Sequence, residues 1–341
     1  MNELPQSSKQ SNETTSAQQS VSAEGNPKKK SSLNPVASIL KYISEKQVRV
    51  CPRCGKSHYI LNVKKKDVQY FLCKNCGKSF NEFTGTTIAY IKKKEKLQDY
   101  FILMIRGSGI KACSETIKIC NQTSFDWRHK ILASLGEYVP DEYKGITEMI
   151  DLLQPFSRKG QGAKAKKIGQ KGKITDPATN LKAETIKKGG YIPLSLVAIG
   201  DRTYHFEITI VQQGPLTEEE LKQQLNKKLN KTKKLCLSDH PILRQFAGNR
   251  KISYFISKKD QKVKGCNKYY HTDTIGSTYI KLISFMDRFQ GVSSSYLQNY
   301  LYWYMISYQI KYRLDPSSAL IEKSISIRNG KEDYKQCKMF V

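Results

Sequence analysis

The sequence predicts an α+β chain of several domains, and three observations carry that expectation. Two Cys-x-x-Cys pairs, Cys51-Pro52-Arg53-Cys54 and Cys73-Lys74-Asn75-Cys76, are each followed by glycine and enclose two short strand-like runs. From Leu97 to Leu135 the apolar residues recur with a period of about 3.6, the signature of helices. From Glu148 onward strand-like runs return, interrupted by one polar helical stretch. With 341 residues and 38% hydrophobic content, the chain has material for two or three domains and at least one sizeable core. Its formal charge of +28, from 58 Lys+Arg against 30 Asp+Glu, points to nucleic acid or another anionic surface; the bland alternative is a lysine-rich proteome that makes every surface basic. No run approaches the roughly 18 apolar residues of a membrane span, and the first residues carry no apolar signal core. The expectation is a cytoplasmic protein with no membrane partner, associated with the nucleoid if bacterial.

Residues 1–35 are mostly Ser, Gln, Asn, Thr and Glu and read as a disordered tail, because they bury too little apolar surface to offset ordering entropy. A short helix from Pro35 to about Glu45 leads into the region 36–90. There Cys51, Cys54, Cys73 and Cys76 have the spacing of a zinc ribbon, with a spacer from Gly55 to Leu72. Each glycine permits a tight turn that brings backbone N–H groups toward the thiolates, and four sulfurs around one zinc ion replace a core too small to form alone. Four thiolates leave no open coordination position, so the metal is structural. The hairpin run Lys64-Lys65-Lys66 is either a phosphate contact or a solvated turn. Cys113, Cys120, Cys236, Cys266 and Cys337 lack ligand spacing and read as buried free thiols.

Residues 91–138 read as three helices. Leu97, Tyr100, Phe101, Met104 and Ile105 form the apolar face of the first, which ends near Gly107 or Gly109. The second spans Ile110 to Cys120, and Thr123-Ser124 caps a third that carries Trp127 and Ile131. A tight turn before the last helix is the pattern of a helix-turn-helix, whose final helix enters the major groove. Arg128, His129 and Lys130 then either face DNA or solvate the outer side of a helix whose core is Trp127 and Ile131.

Residues 145–312 change character again. Glu148 to Leu153 is a strand with Asp151 in it, either a buried acid or one facing solvent from an edge strand. A basic glycine-rich loop runs from Arg158-Lys159-Gly160 to Lys188 and suits a phosphate backbone. Two strands, Tyr191 to Ile199 and Thr203 to Val211, meet at a turn near Gly200-Asp201. A polar helix from Thr217 to Leu229 opens on a capping-box pattern, and a strand from Lys234 to Leu237 delivers Asp239. The region Ser277 to Ile310 is helical and aromatic, and residues 313–341 form a polar tail. Strand, hairpin, helix and strand, with acids on two strands, is the order of an RNase H-like α/β domain. In such a domain acids converge on divalent metals that drive phosphoryl transfer, and hard oxygen ligands suit magnesium.

The chain resembles the bacterial insertion-sequence transposases that join an N-terminal zinc ribbon to a DDE-type catalytic domain, relatives of the Merlin elements. The resemblance covers about residues 48–305. It rests on the ribbon, on Thr84-Gly85-Thr86 before Lys92-Lys93-Lys94-Glu95-Lys96, and on Trp127-Arg128-His129-Lys130. It continues through Asp151 ahead of Ser157-Arg158-Lys159-Gly160, Leu235 to His240, Val263-Lys264-Gly265, and Arg288 to Val292 leading to Tyr296 to Leu301. It implies a DNA transposase that binds terminal inverted repeats and target DNA, acts as a homo-oligomer, and cuts and joins strands with Mg²⁺ or Mn²⁺. Asp151 matches the first catalytic metal ligand and Asp239 the second. The third position falls on Gly276, which has no side-chain oxygen, with Asp273 or His271 as substitutes; the lysine expected after it is Ile283, and Leu152 stands where a glutamate is usual. The alternative is a decayed or co-opted relative that binds DNA without catalysis.

Overall fold

The computed structural model of the chain describes residues 50–65, 68–157, 159, 193–203, 205–257, 269–311, 314 and 316–324. These form a mixed α+β protein with two sheets and eight α-helices. The tail over 1–35, the helix near Pro35, Lys66, Arg158, nearly all of the glycine-rich loop, Val263-Lys264-Gly265, Cys266, Cys337 and the chain from 325 lie outside the described residues.

The first sheet is small. Strands β1 (Tyr59–Lys65), β2 (Val68–Cys73) and β3 (Ser79–Asn81) pair antiparallel in that order, the third adding to the expected hairpin. Its apolar centre is little more than Phe71 and Phe80, with Tyr59 edge-on to both at 5.2 and 5.7 Å between ring centroids.

Three helices follow: α1 (Leu97–Ile105), α2 (Ile110–Ile117) and α3 (Asn121–Ser134). Leu97, Tyr100, Phe101 and Met104 are buried along one face of α1, as the 3.6 period predicts. The helix gives way at Gly107, whose φ of 76° lies in the left-handed region that glycine adopts freely. The cap of α3 is Cys120 rather than Thr123 or Ser124: its Sγ accepts the Thr123 N–H at 3.4 Å. Cys120 is therefore exposed, not buried, whereas Cys113 and Cys236 are buried as expected.

The second sheet comprises β4 (Lys144–Gln154), β5 (Leu194–Asp201), β6 (Phe206–Gln213), β7 (Lys231–Ser238) and β8 (Ser253–Ser257), in the order β6-β5-β4-β7-β8. Strand β5 is antiparallel to both β6 and β4, while β7 runs parallel to β4 and β8 parallel to β7. Helices α4 (Glu218–Leu225), α5 (Pro241–Asn249), α6 (Asp273–Asp287), α7 (Ser294–Ile310) and α8 (Pro316–Ser324) complete the architecture. Thr217 precedes α4 without closing the expected capping box, its hydroxyl donating instead to Gln212 Oε1 at 3.1 Å. The helical region expected from Ser277 to Ile310 is built of two helices, and α8 lies where a polar tail was expected.

Alternation along the strands divides the sheet's side chains. Ile150, Leu152, Leu196 and Ala198 share one core with α6, α7, α8 and all three of α1 to α3. Met149, Val197, Ile199, Leu235 and Leu237 pack on the other face with Leu221 and Leu225 of α4 and Leu243 and Phe246 of α5. The three-helix region is thus continuous with the core of the larger domain.

That continuity corrects the expectation that Arg128 and His129 face DNA. Both are buried, and Lys130 is half-buried. The Arg128 guanidinium lies 5.0 Å from the centre of the Trp303 ring and donates from Nη2 to the Ser108 carbonyl at 2.7 Å and to Cys113 Sγ at 3.2 Å. His129 lies between the rings of Phe125 and Tyr296, at 4.4 and 4.2 Å, with Asn299 Nδ2 3.5 Å from its Nδ1. These polar residues join α3 to α7 where a recognition helix would expose them.

Burial, and secondarily the Arg128 charge, push His129 down to about 3 from an ordinary 6.5. His129 is therefore neutral when folded but binds a proton near pH 6.5 when unfolded, so stability is full above that pH and falls as the pH drops toward 3. Each unit in that window costs about 1.4 kcal/mol through this one group. His129→Asn should flatten the acid limb of a plot of melting temperature against pH between roughly 6 and 4. An unchanged limb would show that His129 does not couple folding to protons.

Candidate metal centre and strand-end acids

Each cysteine pair forms the same turn. Gly55 N–H donates to the Cys51 carbonyl at 2.8 Å and Gly77 N–H to the Cys73 carbonyl at 2.9 Å, with φ of 69° and 65° at the two glycines. The amide of the first cysteine of each pair reaches past the turn, Cys51 N to Lys56 O at 2.9 Å and Cys73 N to Lys78 O at 3.1 Å. The two turns bring the ligand sulfurs of Cys51, Cys54, Cys73 and Cys76 within 4.8 Å of one another. Sγ of Cys51 lies 3.6 Å from that of Cys76, and Sγ of Cys54 the same distance from that of Cys73.

Crowded sulfurs do not titrate alike. A backbone hydrogen bond at Lys56 favours the Cys54 thiolate, yet burial and the three neighbouring sulfurs push it up to about 12. Burial opposes ionisation of Cys73, but backbone hydrogen bonds at Cys76 and Asn75 and those from Cys54 and Cys76 bring it down to about 7. Four such groups fit a soft divalent cation, which binds thiolates and relieves their mutual repulsion.

The second candidate lies at the C-terminal edge of the larger sheet. Because β4 and β7 are adjacent and parallel, with Met149 opposite Leu237, the acids Asp151 and Asp239 come to neighbouring strand ends. Ser238, between them, donates its hydroxyl to Asp151 Oδ1 at 2.6 Å. Asp239 is paired with Arg244 one turn into α5. Asp273 stands at the start of α6 with its side chain 85% exposed. Gly276 is in the first turns of α6, and a Cβ there would meet nothing within 4 Å.

The expected metal ligands Asp151, Asp239 and Asp273 are not gathered. Among the described residues, the only group of three or more such side chains close enough to hold an ion is the cysteine cluster. Catalytic Mg²⁺ or Mn²⁺ does not fit these acids as they stand, since each is turned to a protein partner or to solvent.

Sequence reasoning missed Glu148, three residues before Asp151 and on the opposite face of β4. It is 2% exposed; Oε1 lies 2.9 Å from Arg202 Nη2 and 3.7 Å from His271 Nδ1, and Oε2 accepts the Ile275 N–H at 2.9 Å. Burial and the Glu148 charge push the neighbouring Cys236 thiol up to about 11. The one available signal was an acid within the apolar run Glu148-Met149-Ile150. Lys64 and Lys65 are exposed at the end of β1, and Lys159 is exposed with its ammonium on the Gln290 carbonyl.

Two outcomes follow from these geometries. Cys54→Ser should remove one bound metal per chain in elemental analysis and unfold the small sheet, because Phe71 and Phe80 cannot hold it alone. Trp127 and Trp303 both lie in the large core, so their fluorescence melt should stay where it is in the wild type; a common collapse would contradict separate stabilisation. Gly276→Ala should raise stability by about 0.5–1 kcal/mol in denaturant unfolding, since helical glycine costs backbone entropy and the new methyl meets nothing.

No protein-family model matches the chain, and no curated protein matches it either.

Proposed function

We propose that the chain is a DNA-binding protein of the DDE transposase kind, with a zinc ribbon, a helix-turn-helix fused into the main core, and an RNase H-like domain. The observation that carries this reading is the strand order β6-β5-β4-β7-β8, in which Asp151 lies near the C-terminal end of β4 and Asp239 directly follows the adjacent parallel β7. A hairpin followed by a parallel return is the arrangement the sequence resemblance implies for a phosphoryl-transfer domain. Zinc is the fitting ion for the four cysteines, which would hold it and thereby give the ribbon its rigidity.

The partner is DNA, with terminal inverted repeats as the specific sites. The +28 charge supplies the attraction, and exposed Lys64 and Lys65 are phosphate contacts. Cleavage and strand transfer form the fuller version of this activity. Gly276 in place of the third ligand and the exposure of Asp273 favour the narrower version, binding without cutting.

The test is a pair of assays on duplex DNA carrying the terminal repeats. Binding should weaken steeply with salt, and replacing Lys64 and Lys65 together by alanine should lower the log–log salt slope by roughly 2, about 0.9 per phosphate contact. Absence of any complex at low salt would end the DNA reading. With Mn²⁺, wild type and Asp239→Ala should give the same background products. Nicking by the wild type that disappears in Asp239→Ala would instead establish the transposase activity in full.

A further inference from the structure

The start of α6 is held to the sheet by one charge pair whose carboxylate is buried. Arg202 stands on the turn between β5 and β6, and its guanidinium reaches three points of the segment leading into α6. Nη2 donates to the Tyr269 carbonyl at 3.1 Å, and Nη1 lies 3.2 Å from His271 Nε2 and 3.4 Å from Thr274 Oγ1. The same Nη2 is 2.9 Å from Glu148 Oε1. Glu148 closes the arrangement from below through the Ile275 N–H, the first orphan amides of a helix being natural partners of a carboxylate.

The environment makes this pair worth more than a surface ion pair. Glu148 is almost fully enclosed, while the Arg202 side chain is one-third exposed, so the carboxylate has no water to fall back on. Among the described residues, the charged and titratable groups beside it are His271 and the Cys236 thiol, and Asp201, His205 and Tyr308 line the same pocket. Neither His271 at 3.7 Å nor a neutral thiol replaces a guanidinium.

We infer that Arg202 and Glu148 are positioning residues that latch the Tyr269–Ile275 segment, and with it the start of α6 and Asp273, onto β4. A fixed protein cation joins the strand acid to the helix start, so the placement of α6 does not depend on a divalent metal. This inference is independent of the DNA reading: a chain that binds no DNA can have the latch, and one that binds DNA can lack it.

Hydrogen exchange on the full zinc-loaded chain tests it, followed by mass spectrometry on peptides spanning 269–280. Arg202→Gln should speed exchange there at least tenfold and leave β1 to β3 and α1 to α3 unchanged. Arg202→Lys, which keeps the charge but not the fork, should recover part of the protection. Glu148→Gln should match Arg202→Gln; if it unfolds globally, the two arginine variants decide. Adding Mn²⁺ to the wild type should change nothing in these peptides. Wild-type rates in Arg202→Gln, or protection that appears only with Mn²⁺, would overturn the latch.

Discussion

The parallel pairing of β4 with β7 is the constraint from which the rest of the larger domain follows. Two parallel neighbours cannot be joined by a tight turn, so the chain must leave the sheet and cross over before it returns. Here the excursion contains the β5–β6 hairpin and α4. A central parallel pair must also be covered on both faces, and β5 beside it is buried at every position. One face takes α4 and α5. The other needs more cover than α6 and α7 provide, and α1 to α3 supply it. The three helices that follow the small sheet are thereby drawn into a core.

The recruitment buries Arg128, and the sheet buries Glu148 beneath α6; the molecule settles these two charges differently. Among the described residues, no carboxylate pairs with Arg128. Its charge is spread over the Ser108 carbonyl, Cys113 sulfur and the Trp303 ring, and Nε and Nη1 have no hydrogen-bond partner. Such a site is costly in hydration and is offset by polarisable neighbours, with Tyr100 and Tyr300 favouring the charged form. Glu148 is neutralised directly by an arginine and a helix amide. The first solution joins two helices by contact, whereas the second ties three distant segments of chain through one carboxylate.

How much of this was legible in the sequence depended on how local each feature is. The cysteine turns were, because Cys-x-x-Cys-Gly encodes its own left-handed glycine and needs only a copy of itself to complete the cluster. The first helix was too, since its buried face recurs every three or four residues. The burial of Arg128 and His129 was not, because both have polar side chains and only the later aromatic helix α7 shows what covers them. Strand β8 and helix α5 escaped notice because Tyr254 and Phe255 are flanked by basic residues and Pro241 looks like a break, although proline suits a first helical turn. Glu148 was passed over in favour of Asp151, since a single acid in an apolar run does not declare its face.

The face decides what the strand-end acids can do. Side chains alternate along β4, so Asp151 falls with Met149 on the side of α4 and α5, while Glu148 falls with Ile150 beneath α6. Any ligand supplied from the start of α6 therefore comes down nearer Glu148 than Asp151, and Glu148 is already committed to Arg202 and Ile275. Asp239 is likewise committed to Arg244, and Asp151 to Ser238. The acids at this edge are engaged internally, whereas Lys64 and Lys65 are exposed. Loss of one ligand disables a metal site that needs several oxygens at once, but attraction to DNA sums over many lysines and survives the loss of any one. Under the proposed function, that difference in cooperativity would let binding outlast cutting in a chain with Gly276 where the resemblance expects the third ligand.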